Sequence, residues 1–286
     1  MLNKMGESFK IMRKSRGITL SEATGEEFSE SMLSRFENGQ SEMSAQKLFA
    51  CLDNIYLDIE EYNLLVREYE PTDFSTLQKN IHHFYNPYNE IELEKLAKKE
   101  LDKIKIDGRE QYHRLNNILI KARIKSVNNN YFISDDLIEY LKNYLFSMVN
   151  WANYELTLFS ETIHLFEPNA FLNYCQEMLH RSDFYKILSY NSAIIQTILI
   201  NGVFYSVEKN RLEDALILIE TIKQNFSQTR DAYLKIVCMI AKGYYLTKFD
   251  KNKGIFLIKK GINIFKDLGY EEISTYYYNE FKNIID

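Results

Sequence analysis

Three prolines and ten glycines are the only strong turn-forming residues in 286 positions. A β-sandwich or an α/β fold of this length needs many more, because its tight turns call for glycine and proline at fixed places. Helices joined by short polar turns do not. Cysteine is scarcer still. Cys51, Cys175 and Cys238 are far apart, odd in number and form no CxxC pair, which excludes a disulfide framework and fits a reducing compartment. No uninterrupted stretch of about 18 apolar residues exists. The longest candidate, Ile194 to Phe204, is broken by Gln196, Thr197, Asn201 and Gly202. The amphipathic, charged start MLNKMGESFKIMRKSRG has no apolar segment of the signal-peptide kind. A soluble, cytoplasmic, all-α protein is expected, with no membrane partner.

Catalytic signatures are missing too. There is no GxxxxGKS/T, GxGxxG, HExxH or GxSxG. His82 and His83 are adjacent, and Cys175 and His180 are five apart, so neither pair shares a helix face for metal binding. No cofactor, metal or enzymatic activity is expected.

What is present is apolar material, 45% of residues, enough for two units at this length. The net charge of −5 does not advertise nucleic-acid binding, but its distribution does. Residues 1–16 hold Lys4, Lys10, Arg13, Lys14 and Arg16 against Glu7 alone.

Residues 1–67 predict five short helices. The first runs from about Met5 to Ser15 and stops at Arg16-Gly17; Thr19 caps a second that ends near Thr24. Ser29 caps a third, with Leu33 and Phe36 inward and Asn38-Gly39 as its stop. Ser44 caps a fourth containing Leu48, Phe49 and Leu52, and a fifth covers about Ile59 to Tyr69. A tight turn between the second and third makes a helix-turn-helix, with the third helix in the major groove. Ser29, Glu30, Ser31, Ser34 and Arg35 then face the bases, Arg35 being suited to guanine, while Arg13 and Lys14 are placed to grip phosphate. Helix pattern alone is equally compatible with an ordinary five-helix bundle.

The segment FSESMLSRFENGQSEMS resembles the recognition-helix region of Xre/Cro-like helix-turn-helix proteins, S-x-x-x-I/L-S-x-x-E-x-G, met here by Ser29, Leu33, Ser34, Glu37 and Gly39. More narrowly, RKSRGITLSEATGEEFSESMLSRFENGQSEMS is similar to the Rgg/GadR/MutR branch of these regulators. Leu20 stands where many relatives carry a phosphate-touching Gln, and Met43 stands at a usual Pro.

Pro71-Thr72 marks a linker at 68–72, and residues 73–286 predict one amphipathic helix after another. Expected spans are 73–86, 90–105, 109–126, 134–149, 151–166, 168–181, 183–207, 211–225, 229–247, 252–267 and 270–285. Breaks are expected at Asn86-Pro87, Asp107-Gly108, 128–130, Glu167-Pro168, Lys209-Asn210 and Lys251-Asn252. Helix pairs of this length predict an α-solenoid of tetratricopeptide-like repeats, with a concave side for an extended peptide. LKNYLFSMVNWANYELTLFSETI and GINIFKDLG also resemble Rgg stretches.

The resemblance implies a homodimeric regulator of operator DNA, controlled by a short apolar pheromone peptide in quorum sensing. The segment from GINIFKDLG to Asp286 is the expected dimer surface. SYNSAIIQTILINGVFYSV is apolar around most of its circumference yet holds Asn191, Gln196 and Asn201. An amide offers both a donor and an acceptor, matching one peptide unit, and the resemblance places Asn191 where related regulators hold a pheromone backbone. Gln196 and Asn201 pair equally well with neighbouring helices. Trp151 and Tyr154 fit either a peptide wall or the core, and Lys121 and Arg123 either a peptide carboxylate or solvent. A repeat domain that binds a protein partner is the alternative.

Overall fold

The computed structural model describes residues 2–83, 90–167, 170–182, 188–226 and 230–286, and all its regular structure is helical. The breaks expected at Asn86-Pro87 and Pro168, and the helix start expected at 183, lie outside these residues. Tertiary contacts divide the chain into two compact units, Met1–His83 and Phe84–Asp286.

The first unit holds α1 (Leu2–Ser15), α2 (Leu20–Thr24), α3 (Glu30–Glu37), α4 (Ala45–Asn54), α5 (Ile59–Val66) and α6 (Asp73–His83). Local chemistry sets most of these bounds. At α2 the Thr19 hydroxyl accepts from Glu22 N–H, and the Glu22 carboxylate accepts from Thr19 N–H at 2.7 Å, so two orphan donors are satisfied reciprocally. Ser44 caps α4 in one direction only, its hydroxyl accepting from the Lys47 N–H. Gly17 and Gly39 follow α1 and α3 with φ of 68°, the left-handed conformation that glycine adopts without strain. Helix α5 ends at Val66, three residues before the expected Tyr69, because Glu68 and Tyr69 themselves turn to positive φ. Ser29 occupies the N-cap position of α3 but does not cap it; its hydroxyl lies 3.2 Å from that of Ser31.

Phe9, Leu33, Phe36, Leu52, Ile55 and Tyr62 centre the core of this unit. Phe49 is half exposed, so of the apolar residues expected on α4 only Leu48 and Leu52 turn inward. Cys51 is buried in the same core, and burial pushes its thiol up to about 12, which leaves it unreactive.

The second unit runs α7 (Glu90–Asp102), α8 (Ile104–Asp107), α9 (Glu110–Val127), α10 (Asp135–Ser147), α11 (Asn153–Thr162), α12 (Phe171–Arg181), α13 (Ser189–Glu208), α14 (Leu212–Phe226), α15 (Ala232–Leu246), α16 (Lys251–Asp267) and α17 (Glu271–Ile285). Helices α9, α11, α13 and α15 pack in succession; α10, α14 and α16 each pack between or beside them as the second member of a pair. This is the helical-repeat arrangement. The expected helix 90–105 is interrupted at Lys103, which separates α7 from the one-turn α8.

Helix α13 packs against α11, α12, α14 and α15. Ile195, Ile198, Leu199, Ile200, Val203 and Val207 are all at most 1% exposed, so much of α13 is covered, while Tyr190 and Asn201 are exposed and 192–194 half-buried. Each such side chain contributes about 1.5–3 kcal/mol of burial. Helices α15 and α16 approach more closely than side chains allow: a Cβ on Gly254 would lie 2.7 Å from the Gly243 carbonyl oxygen. Among the described residues no helix is long and apolar enough to cross a membrane.

Candidate functional site

On α3 the inward side chains are Leu33, Phe36 and Glu37. Ser29, Glu30, Ser31 and Arg35 are exposed and Ser34 is half-buried, so the residues expected to read bases do lie on the solvent side of this helix or at its start. Leu20 and Met43, the two departures from the common pattern, are packed against the core, so the Leu20 side chain supplies none of the polar contact a Gln would make there.

Arg13 requires a correction. Its guanidinium is buried rather than free to grip phosphate. Nε and Nη2 donate to the two Glu37 oxygens at 2.6 and 2.8 Å, and Nη1 donates to the Ile18 carbonyl at 2.7 Å. The hydrogen bond to Glu37 outweighs burial and raises the affinity of Arg13 for its proton. Arg13 therefore joins α1 to the end of α3. The other bases on α1 are Lys4, exposed and paired with Glu68, the half-buried Lys10, whose Nζ donates to Asn38 Oδ1 at 2.6 Å, and the exposed Lys14. Lys10 and Lys14 line an open groove with Glu7, Ile11, Glu37 and Asn38, so Lys10 is a basic group beside Lys14 that the sequence reading did not single out. The i, i+4 spacing of Lys10 and Lys14 was the available signal.

In the second unit the residues expected at a peptide site separate. Trp151 is fully buried, its indole N–H donating to the Leu145 carbonyl at 2.8 Å and its ring against Phe146 and Phe159. It is core, not a ligand wall. Tyr154 is half-buried, stacks on Tyr112 at 5.5 Å and donates to Asn116 Oδ1 at 3.0 Å. Lys121 and Arg123 are half-buried on α9.

The three amides of α13 do not share a face, since five residues advance about 140° around a helix. Gln196 is buried and Asn201 is exposed. Asn191 is 1% exposed, and its Oδ1 has no hydrogen-bond partner among the described residues. A buried acceptor left without a donor costs about 1–3 kcal/mol. Native cores rarely tolerate that without a reason.

A helix-turn-helix pattern in the first unit and stacked helix pairs in the second define the class as a transcription regulator with a helical-repeat body. The C-terminal domain of the HTH-type transcriptional regulator Rgg matches residues 93–279, and the chain belongs to the Rgg family. Its fold is also that of the SHP pheromone receptor Rgg2 of Streptococcus dysgalactiae, which is 24% identical at a TM-score of 0.84 over 98% of this chain and 99% of that one. A Listeria monocytogenes protein described as a transcriptional regulator matches at 22% identity and a TM-score of 0.84, over 100% and 98% of the two chains. PrgX, in a complex with cCF10, matches at 17% identity and a TM-score of 0.73 over 99% and 100%.

Proposed function

We propose that this regulator reads operator DNA as a homodimer in the cytoplasm and is switched by a short apolar peptide held against α13. The observation that carries the peptide is the orphaned Asn191 acceptor. An extended peptide presents a backbone N–H to such an oxygen, and binding then removes an unfavourable term already present in the free protein. The fold shared with a protein described as a pheromone receptor supports the same reading. Homodimerisation fits the exposed apolar rings near the end of the chain: Phe249 and Phe256 are 64% exposed, with Tyr270 and Tyr276 also outward.

Asn191→Ala should keep its melting temperature within about 2 °C of the parent, because losing an unsatisfied buried acceptor offsets the small cavity. Binding of fluorescent members of a synthetic library of short apolar peptides should weaken roughly tenfold, the scale of one hydrogen bond. Thermal melts and polarisation titrations on one preparation check both. A variant that melts several degrees lower while binding peptide normally removes Asn191 from the site; a parent that binds no peptide but retains a protein from the same cells turns the proposal to the protein-partner alternative.

For the DNA face, Arg35→Ala should weaken binding to fragments recovered by chromatin pull-down by about 1–3 kcal/mol, with little change on scrambled DNA. Equal weakening on both would make Arg35 a phosphate contact instead.

A further inference from the structure

The corner of α7, α8 and α9 contains a charged cluster with a buried centre and an exposed rim, which neither DNA reading nor peptide binding uses. At its centre is His113 on α9, with a side chain 1% exposed. Its Nδ1 lies 2.7 Å from Glu100 Oε1 on α7, and its Nε2 lies 3.0 Å from both oxygens of Asp107 at the end of α8. Both ring nitrogens face carboxylates. A neutral imidazole has a single N–H and a lone pair, so it suits only one of these contacts.

The carboxylates cannot take the proton instead without losing contacts. Glu100 is 1% exposed and accepts from Asn116 Nδ2 at 2.8 Å and from Lys103 Nζ at 2.6 Å, besides His113. Burial pushes the Glu100 carboxyl up, but the hydrogen bonds from Asn116, Lys103 and His113 outweigh it and hold the group below its ordinary range. Asp107 accepts from the Arg109 backbone N–H at 3.0 Å and from Arg109 Nε at 2.6 Å. That backbone bond, followed by the bond from His113, holds it well below the usual carboxylate range. Donors surround both carboxylates, so each is an acceptor only.

We propose that His113 is a doubly protonated imidazolium that clamps α7, α8 and α9 together, and that this corner loosens when His113 gives up its proton. Loss of one N–H would set a lone pair against a carboxylate oxygen at 2.7 or 3.0 Å. The charged and titratable groups around the ring are Glu100 and Lys103 at the end of α7, Asp107 on α8 and Arg109 ahead of α9. Tyr112 meets the ring edge-on. From α11, Tyr154 reaches the cluster through Asn116, which connects His113 to Tyr154 by an unbroken chain of hydrogen bonds.

The sign follows from which state binds the proton. The folded clamp needs the protonated ring, so its contribution is full at low pH and is lost as pH rises. His164 works in the opposite sense: burial favours its neutral form, so its share is lost as pH falls. The comparison of parent with variant isolates His113.

Thermal unfolding of the full chain and of His113→Gln, followed from about pH 6 to pH 9, is the test. The variant should melt below the parent by about 4 °C or more at the acid end, with the gap closing toward the alkaline end. A gap that is absent, or that does not change with pH, overturns the clamp. Nitrogen-15 spectra of the parent's imidazole near neutral pH give an independent reading should the variant not fold. Two protonated ring nitrogens at His113 are expected, and a neutral tautomer there overturns the proposal.

Discussion

Glu37→Ala is expected to unfold the N-terminal unit. Both partners of the Arg13–Glu37 pair are nearly inaccessible, with side chains 8% and 3% exposed. Removing the carboxylate leaves a guanidinium that cannot shed its proton, buried with only the Ile18 carbonyl to answer it. Breaking one side of such a pair costs about 3–5 kcal/mol, a large share of the 5–15 kcal/mol that typically holds a domain. Arg13→Met should be milder, because the Glu37 left behind can take up a proton and become neutral. The double change Arg13→Met with Glu37→Leu should recover most of the loss, since a packed apolar pair often matches a buried ion pair. Thermal melts and protease sensitivity of the full chain report the order. A Glu37→Ala protein as stable as the parent would show that the pair holds nothing together.

Gly6→Ala should be nearly as damaging, and for a different reason. Helices α1 and α3 touch at Gly6, where a Cβ would sit 1.9 Å from the Phe36 carbonyl oxygen. That atom belongs to backbone and cannot rotate aside. The helices must separate, and Phe9, which meets Phe36 at a ring distance of 6.4 Å, separates with them. Overpacking of this kind costs about 1–3 kcal/mol or somewhat more. Gly17→Ala is the informative control: Gly17 has φ of 68° but nothing within 4 Å of its missing Cβ. It should lose only the cost of a left-handed alanine, about 1 kcal/mol. Equal melting temperatures for the two variants would show that the α1–α3 contact is not as tight as the geometry gives it.

Much of the site was legible at the level of single elements. The outward set on α3 follows from where Leu33 and Phe36 turn inward, and periodicity shows that directly. The apolar circumference of α13 likewise foretold a helix packed around most of its surface. Side-chain roles were less legible wherever one residue type serves two ends. Arg13 and Lys14 are neighbours of the same charge, yet one is buried against Glu37 and the other faces solvent. Trp151, Gln196 and Asn201 were each open to two roles in the sequence; packing makes Trp151 core and buries Gln196, while Asn201 stays exposed.

The amino-acid sequence alone determined the helix bounds set by caps and glycine stops, the all-helical class, and the family through the residues around α3. These depend on chemistry within a few positions along the chain. Tertiary structure alone decided which polar groups meet. Arg13 finds Glu37 across 24 positions, His113 finds Glu100 across 13, and Tyr154 finds Asn116 across 38. The Asn191 acceptor finds none among the described residues. Partner choice is a property of packed helices: burial makes an unanswered polar group costly, and only the packing determines which neighbour stands close enough to answer it.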